Sequence, residues 1–157
     1  MSYKIGIADT MFARVDMARL AEKTIKDNLE GVKISRYTVP GVKDLPIASK
    51  RLLEEQNCDI VLALGMPGDK QIDKTCAHEA STGLISAQLM TNKHIIEVFV
   101  YLDEGKDNKE LHAITKNRTI DHTLNAIALL KGPNTLQKHA GKGIRQGNEE
   151  VGEIKNG

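Results

Sequence analysis

The sequence predicts an α/β fold in which a parallel sheet of four strands is covered by helices on both faces. Three observations carry this. Four short runs of apolar, largely β-branched residues recur along the chain, and each is followed by a longer stretch whose apolar residues return every three or four positions. Strand–helix alternation of this kind implies parallel strands joined by right-handed crossovers. The fourth run, His94-Ile95-Ile96-Glu97-Val98-Phe99-Val100-Tyr101-Leu102, is apolar almost throughout, as a strand covered on both faces should be.

Taken in order, the first strand is expected over Tyr3 to Ala8. Val15, Ala18, Ala21, Ile25 and Leu29 then form one face of the first helix. The second strand, Val32 to Val39, ends at Pro40-Gly41. Leu45, Ala48 and Leu52 mark the second helix, with Pro46 tolerated in its first turn. The third strand, Asp59 to Leu64, leads to a helix carrying Ala77, Ala80, Leu84 and Ala87. After the fourth strand, a helix from about Asn108 to Leu130 is striped by Leu111, Ile114, Ile120, Leu124 and Ile127, and Gly132-Pro133 stops it. Residues 1–132 are thus expected to form the α/β body. Residues 133–157 are expected to add a C-terminal helix and a flexible, polar, glycine-punctuated tail of the same domain.

Composition excludes several classes. The 157-residue chain has a net charge of +1, which offers no field for nucleic acid or an anionic membrane. Aromatic residues make up 3% and Trp is absent, against a base-stacking surface. Cys58 and Cys76 are too few for a disulfide framework and are expected as reduced thiols. The N-terminal segment lacks the apolar core of a signal peptide, and no apolar run approaches the ~20 residues of a membrane helix, so a cytoplasmic protein is expected. The histidines His78, His94, His112, His122 and His139 show no paired helical spacing, so no metal site is predicted from spacing. A phosphoacceptor site would need an aspartate at the end of the third strand, where Leu64-Gly65 stands.

Ligands of open parallel sheets bind beyond the carboxyl ends of the strands. The places to search are therefore Asp9-Thr10-Met11-Phe12, Val39 to Asp44, Gly65 to Asp73, and Asp103-Glu104-Gly105. The glycines of Gly65-Met66-Pro67-Gly68-Asp69-Lys70 fit neither phosphate-loop fingerprint, and a tight turn accounts for them. In Pro40-Gly41-Val42-Lys43-Asp44 the chain leaves a strand sharply and opens a helix whose free N–H groups suit oxygen-rich ligands. Asp44 either caps that helix or accepts hydrogen bonds from ligand hydroxyls. Glu97 sits where the apolar pattern forbids a charge. It faces a pocket or a subunit contact, has a dedicated partner, or snorkels at a sheet edge.

These residues resemble the archaeal type of riboflavin synthase, a relative of lumazine synthase. The marks are Phe12-Ala13-Arg14-Val15-Asp16-Met17-Ala18, the Val39 to Pro46 run, Ala63-Leu64-Gly65-Met66-Pro67-Gly68 and Cys76-Ala77-His78-Glu79-Ala80-Ser81. Met90 to Val100 and Ala140 to Gly147 complete the set. The resemblance implies a flavodoxin-like three-layer α/β/α sandwich, a homopentamer with active sites between neighbours, and no organic cofactor, with magnesium as an accompanying ion. It implies that Phe12 packs on the ring system of 6,7-dimethyl-8-ribityllumazine, that Gly41, Val42, Lys43 and Asp44 meet the ribityl chain, and that Met66, Pro67 and Gly68 line the pyrimidine side. Thr10, Asp73 and His78 complete the expected substrate contacts.

Glu97 and Arg118, supplied by the adjacent subunit, would share catalysis with Lys43 and Asp44. The implied reaction is the dismutation of two lumazines into riboflavin and 5-amino-6-ribitylaminouracil. Lumazine synthase has a catalytic histidine after its third strand, whereas Met66 to Thr75 contains none. Lumazine synthase activity is therefore the alternative, and a non-catalytic flavin carrier a more distant one.

Overall fold

Residue parity organises the sheet. In the computed structural model, which describes residues 2–156, four parallel strands, β1 (Lys4–Thr10), β2 (Lys33–Val39), β3 (Ile60–Gly65) and β4 (Ile95–Phe99), lie in the order β2-β1-β3-β4. Ile5, Ile7, Leu62, Leu64 and Val98 point to one face, which α1 (Met17–Asn28) and α4 (Asn108–Leu130) cover. Ala8, Val61, Ala63, Ile95 and Phe99 point to the other, covered by α2 (Leu45–Glu54) and α3 (Gln71–Thr91). The molecule is the expected three-layer α/β/α sandwich, with two apolar cores separated by the sheet.

Local chemistry sets the helix ends. Asp16 caps α1, its Oδ1 accepting from Arg19 N at 3.2 Å, and Asp107 caps α4 by accepting from Glu110 N at 2.8 Å. Asn92 closes α3 in the left-handed conformation, with φ of 55°. The apolar run of the fourth strand outlasts its ladder. Beyond Phe99 the chain follows the loop after β3 instead, with Val100 N on Gly65 O at 3.1 Å and Leu102 N on Pro67 O at 3.0 Å.

The C-terminal region differs from expectation. Residues 133–156 contain no α-helix, only a single 3₁₀ turn at Gln137–His139. Gly132, Gly141, Gly143 and Gly147 all adopt positive φ, and such residues break helical propagation. Nor does this segment hang free, because Gly147 O accepts from Arg118 Nη2 at 3.3 Å. Among the described residues no helix is long and apolar enough to cross a membrane.

Candidate active site

Three strand ends converge on a cleft of about 240 Å³, lined by Phe12, Gly41, Val42, Lys43, Asp44, Pro67, Gly68, Asp73 and Cys76. Eight of these are residues that the sequence marks for substrate contact; Cys76 is the addition.

The first wall is the segment after β1. Met11 N still bonds Val39 O at 2.8 Å, extending the sheet by one residue, and the chain then turns with Ala13 N on Thr10 Oγ1 at 3.2 Å. This leaves Phe12 with 56% of its surface exposed and its ring against the cleft. The second wall is a single 3₁₀ turn, Val42–Asp44. Asp44 Oδ2 accepts from Gly41 N at 3.1 Å, so the capping role predicted for it is real, although it folds back on the turn rather than onto α2. Lys43 meets Glu79 only loosely, at 3.7 Å between two half-exposed side chains.

The third wall follows β3. A Cβ at Gly65 would stand 2.9 Å from Val42 Cγ1 and 3.2 Å from the Phe99 ring, so the absent side chain is what lets Val42 sit down at the base of the cleft. Asp73 caps α3 through Lys70 N at 3.1 Å, and Cys76 lies one turn further along the same helix face. That three-residue step from Asp73 was the available sequence signal for Cys76. Its thiol is partly exposed, whereas Cys58 is fully buried and burial pushes its thiol pKa up.

Other candidates lie elsewhere. Met66 is fully buried in the core under α1 and α4, because it continues the parity of Leu62 and Leu64, away from the cleft. Thr10 is also buried and spends its hydroxyl on the turn. His78 is exposed on α3 and does not line the cleft.

Glu97 occupies the middle of β4, an edge strand, on the face that α3 covers. Its dedicated partner is Ser81 of α3, whose Oγ donates to the carboxylate. Burial raises the Glu97 pKa, and the hydrogen bond from Ser81 opposes that shift without cancelling it. Glu97 is absent from the lining of its own chain's cleft.

Arg118 departs furthest from expectation. It is 8% exposed, and both of its Nη groups are engaged within its own chain, while its buried Nε has no partner among the described residues. Nη1 donates to Phe99 O at 3.0 Å and Glu104 Oε2 at 2.8 Å, while Nη2 donates to Glu104 Oε1 at 2.7 Å and to Gly147 O. This bidentate pair overcomes the effect of burial, and with a hydrogen bond from Tyr101 N it holds the Glu104 carboxyl below its ordinary pKa. The guanidinium thus joins β4, the loop before α4 and the tail. It does not present its Nη donors to a cleft.

The magnesium ion implied by the resemblance finds no cage. Among the described residues no three His, Cys, Asp or Glu side chains stand together as ligands.

A parallel sheet of this order, with its cleft built from the loops after β1, β2 and β3, defines an α/β protein with a small-molecule site at its strand ends. The model of the 6,7-dimethyl-8-ribityllumazine synthase family matches residues 2–133, and the chain belongs to that family. Archaeal enzymes are among its relatives. The riboflavin synthase of Methanothermobacter thermautotrophicus is 53% identical over 96% of this chain and 99% of its own length, and that of Archaeoglobus fulgidus 49% over 96% and 98%. By contrast, the 6,7-dimethyl-8-ribityllumazine synthase of Methanococcus aeolicus is 31% identical over only 59% of this chain and 71% of its own.

Proposed function

We propose that this enzyme is a riboflavin synthase that dismutates two molecules of 6,7-dimethyl-8-ribityllumazine, yielding riboflavin and 5-amino-6-ribitylaminouracil. One lumazine gives up a four-carbon unit and the other accepts it, so electrons balance between identical substrates without an organic cofactor. The observation that carries the reading is the half-exposed Phe12 ring over a cleft walled by Gly41–Asp44 and Pro67–Gly68. Such a site offers an aromatic face for a flat heterocycle and a polar turn for a hydroxylated chain. The near-full-length likeness to archaeal riboflavin synthases supports it, as does the lack of a histidine between Met66 and Thr75.

The cleft is small for two heterocycles, and a neighbouring copy in a homopentamer completes it. Holding the two rings face to face supplies about 7–11 kcal/mol of the barrier through proximity alone. The C7 methyl group of one lumazine must then lose a proton. Glu97 of the adjacent copy is the base, since burial gives it a raised pKa and Ser81 fixes one of its oxygens. Lys43, free of any tight ion pair, stabilises the resulting anion. Val42 and the Gly41–Asp44 backbone hold the ribityl chain, with Asp44 keeping the turn in shape. Arg118 acts at a distance by fixing the end of β4.

The test is incubation of the purified protein with the dimethyl lumazine as sole substrate. Riboflavin fluorescence, with one equivalent of the aminouracil, is the expected outcome. A protein that makes no riboflavin, but forms the lumazine from the aminouracil and a four-carbon phosphate, would be a lumazine synthase.

A further inference from the structure

We propose that Arg36 is a positioning residue for the reaction: it ties together the two ends of the loop that carries Phe12, and so fixes the aromatic ring at the cleft. The inference rests on the proposed function for what Phe12 does, but the clamp itself is a matter of geometry.

The loop joins Thr10 at the end of β1 to Asp16 at the start of α1. Arg36 projects from β2 and reaches both ends. Its Nη2 donates to Asp9 Oδ2 at 2.6 Å and to Asp16 Oδ1 at 3.0 Å, and its Nε lies 3.4 Å from Asp9 Oδ1. Thr38 Oγ1 adds a 2.6 Å hydrogen bond to Asp9 Oδ1, which fixes the buried carboxylate at the strand end.

Packing does not hold the ring. Ala13 and Val15 touch the apolar core, but Met11 and Phe12 belong to neither core and stand 74% and 56% exposed. Beside the loop lies a cavity of about 310 Å³, lined among others by Thr10, Arg14, Arg36 and Thr38, into which an unclamped loop has room to move. The fold makes little use of the bridge for itself. The β1–β2 ladder runs unbroken from Lys4 opposite Lys33 to Thr10 opposite Val39, and although the Asp16 Oδ1 that caps α1 is the same oxygen that Arg36 reaches, a helix cap needs no guanidinium.

Asp16→Asn separates the two duties of Asp16. Asparagine caps a helix as well as aspartate does, so α1 is preserved while the charge that draws Arg36 to Asp16 is removed. The expected result is a melting temperature within about a degree of wild type and a KM raised about two- to fivefold, the factor a half-exposed ion pair is worth. Turnover at saturation should fall less. Arg36→Gln, which releases both arms, should raise KM about tenfold.

Arg14 supplies a readout independent of activity. Trypsin should cut after it several-fold faster in Asp16→Asn than in the wild type. Wild-type KM in both variants, together with an unchanged cleavage rate at Arg14, overturns the clamp. If instead the wild-type protein makes no riboflavin, it is the proposed function that fails, and the cleavage rate alone decides the clamp.

Discussion

Replacing Arg118 with methionine keeps the aliphatic stem but removes a guanidinium that three parts of the chain share. Breaking a buried ion pair by deleting one partner costs about 3–5 kcal/mol. Here the Arg118 side chain is 10% exposed but that of Glu104 is 29% exposed, so water restores part of the carboxylate's solvation and lowers the loss to roughly 2–3 kcal/mol. The carbonyls of Phe99 and Gly147 lose their donor as well, which adds about 1 kcal/mol. The sum, about 3–4 kcal/mol, corresponds to a fall in melting temperature of roughly 6–15 °C for a chain of this size.

Urea denaturation at pH 7 and fixed protein concentration measures the loss, since in the proposed oligomer association would shift the midpoint too. The pH dependence supplies a second signature. Glu104 has a depressed folded pKa, so the wild type holds the extra stability above the ordinary glutamate value of about 4.3 and loses it as pH falls through the folded value. In Arg118→Met that acid limb should flatten. A variant within about 0.5 kcal/mol of wild type, with the acid limb intact, would refute the positioning role and return Arg118 to the pool of residues free to contact substrate.

Two further substitutions address the cleft and its proposed base. Glu97→Gln should lower turnover by about 10²–10⁴-fold with assembly intact, and wild-type turnover would remove Glu97 from the mechanism. The same variant should be the more stable protein at neutral pH. The raised folded pKa of Glu97 means that the wild type loses stability as pH climbs from about 4.3 through the folded value, so denaturation at pH 4 and pH 7 should show the gap only at the higher pH. Gly65→Ala sets a methyl 2.9 Å from Val42 Cγ1, costing about 1–3 kcal/mol by overpacking and pushing Val42 into the cleft. KM should rise; an unchanged KM would mean that Val42 does not touch the substrate.

The elements were legible because their signals are local. The stripe from Leu111 to Ile127 and the Gly132-Pro133 stop place α4, and the β-branched runs place the strands to within one or two residues, except that β4 ends three residues before Leu102. The cleft loops were legible for a similar reason, since Pro40-Gly41 and Pro67-Gly68 announce sharp turns at strand ends. What stayed hidden depends on distant partners. Met66 follows a pleat whose phase is visible only once β3 is seated between β1 and β4. The burial of Arg118 needs Glu104 and a carbonyl 29 residues downstream in the tail. Ser81 becomes the partner of Glu97 only because α3 packs across β4. The expected C-terminal helix is absent because Gly132, Gly141, Gly143 and Gly147 take positive φ, which excludes an extended helix.

The two thiols are chemically unequal, and that gives the cleft a built-in handle. Cys58 is sealed in the core with its thiolate disfavoured, while Cys76 opens onto the space that Phe12 overhangs. A maleimide dye added to the native protein therefore reports on a single position without any mutagenesis. Occupancy of the cleft can then be followed as protection from alkylation, even by ligands that neither fluoresce nor react.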